Sequence, residues 1–97
     1  MIVKFDFDAD KNELLFQTRG ITFYRIIETI AESGVLLNVP HPNRTQYPNQ
    51  WMFVIEHNHY TYCVPYVIDG DTYFLKTIFP NRKYMYLLSD KEEDNGS

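Results

Sequence analysis

An α+β fold, two N-terminal helices packed on a small, mainly antiparallel sheet, follows from three features of this 97-residue sequence. Residues 23–31 repeat apolar side chains at helical spacing, the chain from Trp51 onward alternates with a period of two, and the two patterns occupy separate halves. A chain of this length builds one hydrophobic core and not a second, so residues 1–89 read as a single domain.

Residues 2–7 set Val3, Phe5 and Phe7 against Ile2, Lys4 and Asp6, the alternation of a short strand with one apolar side. Asp8 or Asp10 then caps a helix over residues 12–19 that stops at Gly20. Thr22 is the next N-cap, and Phe23, Ile26, Ile27, Ile30 and Ala31 form the clearest amphipathic stripe in the chain, ended by Ser33 and Gly34. Residues 35–39 read as a strand and 40–49 as a polar loop in which three prolines oppose regular structure. Three alternating runs follow, over 51–55, 60–68 and 73–79, joined by turns at His57-Asn58-His59 and at Asp69-Gly70. Their simplest arrangement is an antiparallel meander, giving the order β-α-α-β-β-β-β. Pro65 cannot donate to a ladder, so a bulge or an unpaired stretch is expected beside it. So small a sheet is expected to give one face to the helices and leave the other to a partner or substrate.

Composition bounds the function. The chain is 44% hydrophobic, 16% aromatic and 23% charged, which describes a globular protein rather than a disordered one. No apolar run approaches the roughly 20 residues of a spanning helix, so no membrane partner is expected. The opening residues lack the order of a signal peptide, which makes the cytoplasm the expected location. Cys63 is the only cysteine, lies in an apolar run and is expected in the core. Of the thirteen acids behind the net charge of -4, four fall in residues 90–97, a segment without apolar side chains that reads as a disordered acidic tail.

Candidate site residues come from charge and titratable groups. Lys76, Arg82 and Lys83 gather positive charge where the last strand ends, as a protein handling phosphate requires. His41 sits in the proline loop beside Asn43 and Arg44, and a histidine is the side chain best suited to move protons near neutral pH. Tyr84 adds a hydroxyl next to Lys83. His57 and His59 fall on a turn with no third ligand at suitable spacing, so a metal site would need the fold to bring in His41. There is no Gly-rich phosphate loop, nucleophile elbow or Cys–His pairing, and no cofactor is expected.

Three segments carry a resemblance: Phe5 to Asn12 (FDFDADKN), Arg19 to Phe23 (RGITF) and Lys76 to Lys83 (KTIFPNRK). Together they resemble the BrnT-type toxins of bacterial type II toxin–antitoxin operons, across most of residues 5–83. The Ser-Ala of that family's closing motif is Pro80-Asn81 here. The resemblance implies a RelE-like fold and a metal-independent ribonuclease that inhibits translation by cleaving RNA, free or on the ribosome. It also implies a cognate antitoxin that neutralises the chain. Arg82 matches the arginine of the closing motif and Lys83 its neighbour. The implied chemistry has Arg82 and Lys76 stabilising charge on phosphorus while His41 or Tyr84 relays a proton. The alternative is a non-catalytic protein-binding module of the same fold.

Overall fold

The computed structural model describes residues 4–88, so the acidic tail expected over 90–97 lies outside the described residues. The first strand, β1 (Lys4–Phe7), leads into α1 (Ala9–Arg19) and α2 (Phe23–Ser33). β2 (Leu37–Pro40), β3 (Trp51–His57), β4 (Tyr60–Asp69) and β5 (Thr72–Leu75) follow, then a two-residue β6 (Phe79–Pro80) and a 3-10 turn (Arg82–Tyr84).

The helix boundaries follow from local hydrogen bonding. Asp8 caps α1, its carboxylate accepting from the Asp10 and Lys11 amides at 2.8 and 3.0 Å, so the helix begins three residues earlier than the apolar pattern suggests. Gly20, at φ 68°, ends it in the left-handed conformation that glycine adopts without strain. Thr22 caps α2 through the Arg25 amide, and the Asn12 side chain accepts from the Phe23 amide at 2.7 Å, fixing the second helix to the first.

The strands lie in the order β1-β5-β4-β3-β2, with β3, β4 and β5 forming the antiparallel meander. β1 runs parallel to β5, which makes the sheet mixed. Asn58 and His59 turn the first hairpin with φ of 52° and 63°, the paired positive values of a type I′ turn.

Pro65 breaks the ladder as its chemistry requires. Tyr66 pairs with Leu75 but Cys63 pairs with Phe79, so the three residues Lys76, Thr77 and Ile78 face only Val64 and Pro65. That is a bulge of one residue. The Pro65 carbonyl accepts from the Lys76 amide at 2.8 Å, and the N–H that proline lacks would have faced the same way, so pairing fails on this side of β4 and holds toward Met52 on the other. The Arg19 guanidinium, at the end of α1, donates to the Ile78 carbonyl within the bulge.

Two apolar layers flank the sheet. On one face Leu15, Ile21, Phe23 and Ile26 pack on Phe53, Ile55, Val64, Tyr66 and Leu75. Tyr66 stacks between Phe53 and Tyr73 with centroids at 4.1 and 5.1 Å, continuing an aromatic row that reaches Phe5. The expectation that the other face stays open is corrected. Phe79, Tyr84 and Leu87 fold back across Met52, Val54 and Cys63, so β3 and β4 are buried on both sides at their centres. This return is held by the fully buried Thr61, whose hydroxyl donates to the Asn81 carbonyl at 2.6 Å while its own carbonyl accepts from the Asn81 amide at 2.9 Å.

Candidate functional site

The bulge sends Lys76 out of the sheet, and two other elements meet it there. Lys11 comes from the first turn of α1, and His41, Tyr47 and Gln50 come from the loop between β2 and β3. Together with Thr77, Pro65 and Phe79 they line a groove of about 340 Å³. The Lys76 ammonium lies 5.3 Å from the Phe74 ring centroid, a cation–π contact that holds its stem. Among the described residues neither Lys11 nor Lys76 forms an ion pair. Asp8 and Asp10 share a neighbouring depression with both lysines, and the Asp8 carboxylate is engaged in capping α1.

The 41–50 loop is fixed by its own hydrogen bonds. The His41 amide donates to the Gln50 carbonyl at 3.0 Å, and the Tyr47 amide to the Asn43 carbonyl at 2.9 Å. The Asn43 amide donates to His41 Nδ1 at 3.1 Å, which leaves the proton of the neutral imidazole on Nε2. The His41 and Tyr47 rings lie against each other, centroids 4.6 Å apart.

The basic residues expected to act together divide into two groups. Lys76 and His41 line the same groove; Arg82 and Lys83 are exposed on the 3-10 turn and do not line it. Tyr84, expected as an accessible hydroxyl, is 8% exposed within the second apolar layer, where burial holds its phenol above the usual range. Lys83 lies over its ring at 5.6 Å. Burial also pushes the Cys63 thiol up, with an Asn81 hydrogen bond and the Lys83 charge opposing.

His57 and His59 border a different cleft, about 290 Å³, between α2 and the β3–β4 hairpin, together with Arg25, Glu32 and Glu56. Burial, then the Arg25 charge, lowers the His57 pKa. Among the described residues no three His, Cys, Asp or Glu side chains are grouped to hold a metal ion, and His41 belongs to the other groove.

Sequence reasoning missed Lys11, Tyr47 and Thr77. Lys11 lies within FDFDADKN, a segment that had marked the chain as a whole rather than a site. Tyr47 was one of eight tyrosines, with nothing in its spacing to separate it from the others. No protein-family model, curated protein or solved structure matches this chain.

Chemically, the groove offers two cations, a hydrogen-bonding imidazole and an aromatic surface within one small volume. Such a set suits an anionic group carried on a planar one.

Proposed function

We propose that this chain is the toxin of a bacterial type II toxin–antitoxin pair, a metal-independent, RelE-like endoribonuclease of the cytoplasm that inhibits translation and is neutralised by a cognate antitoxin. The observation that carries the reading is the convergence of Lys11, Lys76 and His41 on one groove, with neither lysine ion-paired among the described residues. Free cations on a hydrogen-bonded framework suit phosphate, because their charge is not already spent on a carboxylate and need not be reoriented.

In the proposed reaction the ribose 2′-oxygen attacks the adjacent phosphorus as its proton departs to water. The P–O5′ bond breaks, giving a 2′,3′-cyclic phosphate and a 5′-hydroxyl. Lys76 stabilises the charge that builds on the non-bridging oxygens, and His41 delivers a proton to the departing 5′-oxygen. To carry that proton His41 takes up a proton at Nδ1 and releases the Asn43 amide. Arg82 and Lys83 hold phosphates further along the strand, outside the reacting group.

A second reading, the non-catalytic protein-binding module, is favoured by α1, where Leu14 and Phe16 are 51% and 56% exposed. Induced expression in a bacterial host separates the two. The toxin reading expects growth arrest and RNA decay that Lys76→Ala and His41→Ala abolish while remaining folded. Unimpaired growth with intact RNA would leave the binding module as the account of this fold.

A further inference from the structure

The groove is lined by two unlike sets of side chains, the cations Lys11 and Lys76 and the adjoining rings of His41 and Tyr47. Neither ring belongs to either apolar layer of the core, although both are partly buried. Their loop holds itself in place: the backbone bonds from His41 to Gln50 and from Tyr47 to Asn43 are joined by two bonds at 3.2 Å, the Asn43 side-chain amide donating to Gln46 Oε1 and the Gln46 backbone amide donating to Asn43 Oδ1. A loop so bonded keeps the rings in place before any ligand arrives, which lowers the ordering cost of binding.

We infer that the groove binds single-stranded RNA one nucleotide at a time, with a base stacked on Tyr47 and its flanking phosphates held by Lys11 and Lys76. The inference rests on the RNA reading above and adds to it the residue that receives the base. Three observations carry it. The volume, about 340 Å³, is at the lower end of small-ligand sites, the scale of a nucleotide rather than a folded partner. The cations and the rings line the same groove, and an unstacked nucleotide presents both a phosphate and a base to its site. The imidazole against Tyr47 braces the phenol ring, leaving it as a platform and not as a core side chain. A duplex, whose bases are stacked on each other, presents nothing for that platform.

The test is fluorescence anisotropy of the full chain with a labelled single-stranded 2′-O-methyl RNA hexamer of mixed sequence, which resists cleavage. An abasic strand of equal length and a duplex of the same sequence are run beside it. Tyr47→Leu keeps apolar bulk without the ring, Tyr47→Phe keeps the ring, and thermal unfolding checks that each variant is folded. Expected is binding of the hexamer that falls about tenfold or more for the abasic strand, for the duplex and for Tyr47→Leu, and that Tyr47→Phe preserves. Equal affinity of Tyr47→Leu and the unsubstituted chain, equal affinity for abasic and base-bearing strands, or no binding at all would overturn the inference. Ordinary RNA separates this outcome from the ribonuclease reading. Tyr47-dependent binding without cleavage sustains the platform and removes the enzyme, whereas cleavage undiminished in Tyr47→Leu does the reverse.

Discussion

Two basic regions lie within a few residues of each other in this chain, and the fold treats them differently. Lys76 stands on a bulge whose backbone is tied to Pro65 and, through Ile78, to Arg19, and it shares a groove with Lys11 and His41 brought from distant parts of the sequence. Arg82 and Lys83 stand on a 3-10 turn whose purpose in the fold is to seat Tyr84 over Cys63. The first region gathers charge around a space; the second spreads charge over a lid on the core. Proximity in sequence is therefore a poor guide to which cations share a groove.

The sharpest way to break this contrast is Lys76→Ala. Loss of the cation nearest the proposed reacting phosphate is expected to lower RNA cleavage about 10²–10³-fold, the usual scale for one transition-state charge donor. Because Lys76 is exposed, urea unfolding is expected to move by no more than about 0.5 kcal/mol.

Thr61→Val acts on the other region alone. It leaves the Asn81 carbonyl without the hydroxyl donor and is expected to cost about 1–3 kcal/mol in urea unfolding. Cys63, fully buried under Tyr84 and held as the neutral thiol, reports the same event, since it is the single cysteine of the chain. Its alkylation is expected to speed up in Thr61→Val and to stay unchanged in Lys76→Ala.

Arg82→Ala sharpens the contrast further. It is expected to weaken RNA affinity several-fold and to reduce the slope of log affinity against log salt by about 0.7, the signature of one lost phosphate contact on a single strand, with the cleavage rate at saturating RNA retained.

The smallest expected effect belongs to His57, which borders neither region. Its pKa is lowered in the fold, by burial first and Arg25 second, so the unfolded chain binds the proton more readily. The stability from its neutral form is present above about pH 6.5, the unfolded value, and is lost as pH falls through the folded one. His57→Gln is expected to flatten urea unfolding against pH in that window.

What the sequence disclosed follows the same division. The helix-side layer was legible because α2 repeats Phe23, Ile26, Ile27 and Ile30 at helical spacing and β3 to β5 alternate; periodicity is a direct record of burial on one face. Pro65 announced its bulge through a missing donor. The second layer was not legible, because residues 79–88 are too short and irregular for a period, and their anchor is a single pairing of Thr61 with Asn81. Tyr84 therefore looked like a hydroxyl available for chemistry and proved to be core. Half of the groove was visible as Lys76 and His41. The other half was hidden because Lys11 and Tyr47 join it only through the packing of α1 and the internal bonding of a loop, neither of which has a signature in spacing.

The most direct test of the proposed RNA site is an NMR titration of ¹⁵N-labelled full chain with the uncleavable single-stranded hexamer, following backbone amides. The account predicts that Lys11, His41, Tyr47, Lys76 and Thr77 shift first and together, with Arg82 and Lys83 following at higher RNA. Shifts confined to the 3-10 turn, or to the cleft around His57, would contradict it.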